Sequence, residues 1–229
     1  MDELLIVAPA WHTTHAGAVV GVLAMEPVVN PASHETINQI AETTEQTLRH
    51  RYGSLDRDAL WAEPPLPAYL AYYKRFGQRY HVAMQLESVV RKGKSIPRVA
   101  ALVEAMFIAE LSNLLLTAGH DLGAITRPIR LDVGRGDECY AIPSGSEIMV
   151  KPGDMYTADS EGVLSAIITG PAARARIGSE TRAALFVCYG PPGVTREAME
   201  HHLETITANV RRISPAVVVI AREIVVGSG

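Results

Sequence analysis

The stretch IPRVAALVEAMFIAELSNLLLTAGHDLGAI, residues 96–125, decides how the chain is read. From Arg98 to Thr117 it contains neither proline nor glycine and is dominated by apolar residues, which predicts one helix closed by Gly119. Projected at about 100° per residue, Val99, Val103, Met106, Phe107 and Leu114 share one arc, and Glu110 falls at its centre. A lone carboxylate on such an arc is costly unless it is paired or faces a cavity. In a cavity, desolvation raises its pKa into the range of acid–base work. Paired with a buried arginine, or at a solvent border, it is structural. Both readings stand at this point. His120 and Asp121 follow the predicted helix and can approach the same space, and a histidine suits proton transfer near neutral pH. The competing reading has Asp121 binding loop amides and His120 exposed. Glu110, His120 and Asp121 are thus the candidate catalytic residues.

Downstream the pattern changes to period two. Ile129, Leu131 and Val133 alternate with Arg130 and Asp132, the mark of a half-exposed strand. Turn signals recur at 134–137, 144–146, 152–154 and 160–162, with strands expected at 139–142, 147–150, 155–158, 163–169 and 183–189. Thr195 is placed to cap a last helix whose stripe is Leu203, Ile206, Val210 and Ile213, and residues 216–220 read as a strand. Upstream, residues 4–8 and 18–25 read as buried strands. A helix is expected over 34–52, capped by Ser33 and ending at Gly53. Shorter helices follow near 67–75 and 82–91, beyond a proline-rich connector at 61–67. The predicted fold class is α/β in the α+β sense: one domain over 1–229 with a mixed, largely antiparallel sheet packed by helices.

Composition limits the function classes. Hydrophobic residues make up 48% of the 229, enough for a sizeable core. No apolar run reaches the roughly 18 residues of a membrane span, and Met1, Asp2 and Glu3 do not begin like a secretory signal, so a cytoplasmic protein is expected. Two isolated cysteines, Cys139 and Cys188, read as buried thiols of a reducing compartment. His12, His15, His34 and Glu35 lack a spacing that fixes one face, so no metal is expected; adjacent His201 and His202 read as surface residues. Dinucleotide, phosphate-loop and serine-nucleophile motifs are absent, and no cofactor is expected. The net charge is −4, yet residues 74–98 net +6 through Lys74, Arg75, Arg79, Arg91, Lys92, Lys94 and Arg98. These seven are either a solvated basic surface or a phosphate-binding patch.

Three stretches, YYKRFG (72–77), the 96–125 segment and PGDMYTADSEGVLSAIITGP (152–171), precede the strand ALFVCYG (184–190). In this order they resemble the B3/B4 domain of the phenylalanyl-tRNA synthetase beta chain, and more closely its free-standing counterparts. The resemblance covers about residues 68–190. It implies an α/β domain, tRNA or aminoacyl-tRNA as partner, and hydrolysis of a mischarged aminoacyl ester. Residue by residue the match is partial. The family's pocket asparagine aligns with Phe107, its histidine with Ala118, and its tyrosine-recognising glutamate with about Ala172. Asp121, the Ala158–Asp159 pair and Gly162 are shared. Tyrosine editing as the synthetase performs it is therefore not implied. A retained pocket would instead be lined by Glu110, Asn113, His120, Arg174 and Arg176, beside Phe107 and Asp159. The function expected is a tRNA-associated module that binds, and in the stronger form deacylates, an aminoacyl-tRNA. The alternatives are a non-catalytic binder of an amino acid or other small molecule, and a protein-interaction domain with no pocket.

Overall fold

A computed structural model describes residues 4–228. Strand β1 (Leu5–Val7) leads through the short helix α1 (Pro9–Thr14) into β2 (Val19–Glu26). Four helices follow: α2 (Glu35–Tyr52), α3 (Arg57–Trp61), α4 (Leu66–Arg75) and α5 (His81–Lys92). Then come α6 (Ala101–Asn113) and β3 (Leu116–Asp121). The strand-rich half holds β4 (Ile129–Val133), β5 (Cys139–Ala141), β6 (Glu147–Met149), β7 (Met155–Asp159), β8 (Gly162–Ala166), β9 (Gly170–Pro171) and β10 (Ala184–Gly190). Helix α7 (Arg196–Ile213) and β11 (Val218–Val226) end the chain.

The fold class expected from the sequence is the one observed, with its strands divided between two sheets and a hairpin. One sheet runs β11-β2-β10-β3, antiparallel throughout; the other runs β1-β4-β7-β8-β9, in which only β1 and β4 are parallel. Helix α7 lies close on the first sheet at Gly21, where an added Cβ would sit 2.7 Å from the sulfur of Met199. Its stripe of Leu203, Ile206, Val210 and Ile213 is buried, and the Thr195 hydroxyl accepts the Ala198 N–H as its cap.

Tyrosines tie α4 to both sheets. The Tyr69 hydroxyl accepts the Leu116 N–H and donates to the Tyr189 carbonyl, closing the end of the β3–β10 ladder. The Tyr72 hydroxyl donates to Asp154 Oδ1 at 2.8 Å, and that of Tyr73 donates to the Ile167 carbonyl at 2.9 Å. Each buried hydroxyl thus meets a partner, as burial requires.

The 98–117 helix needs correction. It begins at Ala101, with Asn30 Oδ1 accepting the Leu102 N–H, and ends at Leu114, whose φ of 59° turns the chain out. The run Leu115–Gly119 lacks period two because this strand is covered on both faces, and such strands cannot be told from helix by pattern. His120 and Asp121 are therefore strand residues, not loop residues. Its buried side packs on α7 and α2, while Val103, Met106 and Phe107 line a cavity whose opposite wall includes β3. Ser33 does not cap α2; His34 holds that position. Cys139 is exposed and only Cys188 is buried.

Candidate functional site

The cavity measures about 500 Å³ and is largely apolar. Its walls are Val103, Met106 and Phe107 of α6, the first four residues of β3, and Ala166, Ile167, Gly170 and Pro171 at β8–β9. Exposed His81, Pro97 and Arg176 stand at its rim, with Gln85 of α5 beside them. Another hollow, about 420 Å³, lies on the outer face of α2, but Arg51 is its only charged group, so it offers no acid–base pair.

Glu110 lies in the cavity wall and is 3% exposed. Its Oε1 accepts the Thr117 N–H at 2.7 Å, and no cation pairs with it among the described residues. Burial pushes its carboxyl up to about 8, against which the Thr117 N–H pulls only partly. Near neutral pH burial therefore favours the protonated form. Of the two readings open from the sequence, the cavity geometry holds and the buried ion pair is absent.

Thr117 links this point to a second buried network. Its hydroxyl lies 2.7 Å from His202 Nε2, and His202 Nδ1 lies 3.2 Å from the Asn113 amide nitrogen. Burial holds His202 down at about 3, so the ring is neutral. His202 is thus a core residue, contrary to the surface position expected for it. Asn113 turns to α7, where it also reaches Thr205, and does not line the cavity.

His120 points from β3 to the other sheet. Its Nε2 is 3.1 Å from Ser165 Oγ, and burial, with a smaller contribution from Arg174, lowers its pKa to about 4. Ser165 and Thr157 both reach the Tyr189 hydroxyl, at 2.9 and 2.8 Å, and Tyr189 lines the cavity. His120 therefore reaches the cavity only through Ser165 and Tyr189. Asp121 accepts from Gly123 N–H and Thr181 Oγ1, which fixes a turn. Asp159 pairs with Arg174, and that arginine also binds the Gly162 carbonyl, so both hold loops together away from the cavity. Of the expected pocket residues, Glu110, Phe107 and Arg176 are brought together; His120 is in contact through Ser165 and Tyr189; Asn113, Asp121, Asp159 and Arg174 lie elsewhere.

The basic stretch is also divided. Lys74, Arg79, Lys92 and Lys94 are exposed. Arg75 lies over the rings of Tyr72 and Phe76. Arg91 donates to the Leu55 carbonyl at 2.7 Å. Arg98 pairs with buried Glu104 at 2.6 Å and with Glu45 at 3.6 Å, and its side chain keeps 35% exposure.

This arrangement of sheets and helices has a known counterpart. The fold is similar to that of a phenylalanyl-tRNA synthetase beta-subunit fragment. A crystal structure of an N-terminal fragment of that subunit from Pyrococcus horikoshii matches 98% of this chain with a TM-score of 0.50 and 11% identity. The chain spans 50% of the length of that fragment. No protein-family model matches the sequence, and a search of curated proteins found no relative. At this identity the likeness to the synthetase fragment is one of fold. No helix among the described residues is long and apolar enough to cross a membrane.

Sequence reasoning missed Thr117, Tyr189 and Ser165 at the site. None carries a local signal, because each is an ordinary strand residue until the two sheets meet.

Proposed function

We propose that the cavity receives the aminoacyl group of an aminoacyl-tRNA and that Glu110 acts on its ester. The observation that carries this reading is the unpaired, buried carboxyl of Glu110 in the wall of an apolar cavity large enough for an amino-acid side chain. Protonated, Glu110 donates a hydrogen bond to an ester oxygen; ionised, it takes a proton from water. That water adds to the carbonyl carbon, the ester C–O bond breaks, and the tRNA ribose hydroxyl leaves with a proton. Two facts support tRNA as the carrier: the fold likeness to the synthetase fragment, and the exposed cations Lys74, Arg79, Lys92 and Lys94 on and beside α4 and α5.

A panel of aminoacyl-tRNAs tests the proposal. Deacylation above the spontaneous rate is expected for an apolar amino acid, rising with pH through a midpoint near 8 as Glu110 ionises. A rate no greater than the spontaneous one at every pH, for every member, overturns the enzymatic reading.

A second reading is a binder of a free amino acid or similar small molecule. It is favoured by the pairing of Arg98 with Glu104 and Glu45, which offsets one of the seven cations within the protein. Binding of an amino acid, with no tRNA binding at low salt, selects it.

A further inference from the structure

Strand β3 ends its sheet, and part of its outer edge opens into the cavity. The direction of its backbone groups follows from two bonds. Leu116 N–H reaches the β10 side through the Tyr69 hydroxyl, and Leu122 N–H bonds the Ala183 carbonyl just before β10. Even-numbered residues therefore turn their backbone groups toward β10, and Thr117, Gly119 and Asp121 turn theirs outward, since the direction alternates along a strand.

Most of the outward groups are taken. Glu110 holds the Thr117 N–H. An antiparallel bridge between His120 and Arg176 uses the flanking Gly119 carbonyl and Asp121 N–H. Two outward groups have no partner among the described residues, the Thr117 carbonyl and the Gly119 N–H on either side of Ala118, and all three residues line the cavity. An acceptor and a donor spaced in this way are what a parallel β-pairing presents to a single incoming residue. That residue's nitrogen donates to the carbonyl, and its own carbonyl accepts the N–H. The gap is one residue long. Glu110 closes it at one end and the Arg176 bridge at the other, so an extended peptide does not fit.

We propose that this gap in the edge of β3 reads the main-chain part of an aminoacyl ligand: the α-amino group donates to the Thr117 carbonyl, and the ligand carbonyl accepts from Gly119 N–H. This rests on the aminoacyl reading above and names the part of the ligand that is recognised whatever its side chain. The side chain then enters the apolar walls at Met106 and Phe107 or at Ala166 and Ile167. Glu110 stands beside the ligand nitrogen and carbonyl by virtue of its bond to Thr117.

The test uses the full chain labelled with 15N and a panel of amides of apolar L-amino acids. Each amide is paired with its des-amino analogue, which keeps side chain and carbonyl but lacks the amine. The expected result is a shift of the Gly119 amide resonance on binding and about a tenfold loss of affinity for the des-amino partner, the scale of one hydrogen bond. A second arm replaces Gly119 by glycolic acid, turning its amide into a backbone ester without the N–H. This avoids Gly119→Ala, whose Cβ would lie 2.8 Å from Ile177 Cδ1. About tenfold weaker amide binding is expected from this variant. If it fails to fold, the resonance and analogue arms still decide. Equal binding of amide and des-amino partners with an unmoved Gly119 resonance overturns the edge-strand site while the aminoacyl reading survives. No binding by any amide overturns both.

Discussion

Glu110 Oε1 accepts the backbone N–H of Thr117 at 2.7 Å, joining the last turns of α6 to the edge strand that follows. One bond thus anchors the buried carboxyl and satisfies an edge amide. Because burial favours the protonated form near neutral pH, Glu110→Gln retains the acceptor and the shape. Its melting temperature should stay within the range of a change under ~1 kcal/mol, while ligand binding or deacylation is lost. Glu110→Ala leaves the Thr117 N–H without its partner and should cost about 1–3 kcal/mol. Thermal unfolding of the two variants beside the deacylation panel checks this. A large loss of stability in the glutamine variant would assign Glu110 to structure.

Stability should peak near pH 6. Burial raises Glu110 to about 8 from 4.5 and Asp154 to about 7 from 3.8. Their stabilising contribution is complete below the unfolded values and is lost as pH rises through 7 and 8. Burial lowers His15 and His120 to about 4 and His202 to about 3, from 6.5. As pH falls below 6.5 the unfolded chain binds protons that the native imidazoles refuse, so stability drops on that side as well. Melting temperatures between pH 4 and 9 should trace this dome, and Glu110→Gln should flatten its alkaline limb.

Arg98→Ala should destabilise the chain by about 2–3 kcal/mol. It strands Glu104, whose side chain is 1% exposed, while Glu45 keeps its pair with Arg49 at 3.3 Å. The figure is reduced from the ~3–5 kcal/mol of a fully buried pair because the Arg98 side chain keeps 35% exposure. Lys94→Ala, at an exposed site, should change stability by no more than ~0.5 kcal/mol. Denaturant unfolding of the two variants measures the contrast.

The double variant Lys92→Glu with Lys94→Glu should weaken tRNA binding at low salt and flatten its dependence on salt, since each phosphate contact releases a counterion. Its fold should be intact, because both side chains are exposed. Filter binding across a salt series, with circular dichroism as the control, is the measurement. Unchanged affinity and slope would remove this surface from the tRNA reading.

Much of the fold was legible in residue pattern. The stripe of α7 and its Thr195 cap, the period two of Ile129 to Val133, and the turns between the later strands follow from local chemistry that needs no distant partner. Glu110 was legible too, because a carboxylate among helical apolar residues is anomalous by itself. The short helices α1 and α3 were not, since one or two turns give too little periodicity to read.

The sequence by itself determined the α+β class, the order of most elements and the anomaly of a carboxylate at Glu110 among helical apolar residues. Each rests on spacing along the chain, which sterics and burial convert directly into helix or strand. Only the tertiary structure decided that residues 116–121 form a strand, because a strand covered on both faces shows no alternation. Only it decided that His202 is buried against Thr117, that Arg98 belongs to Glu104, and that Thr117 and Gly119 line a cavity with Glu110. These relations join residues far apart in the chain. Their physical basis, the need of each buried polar group for a partner, selects that partner by position in space and leaves no pattern in the sequence.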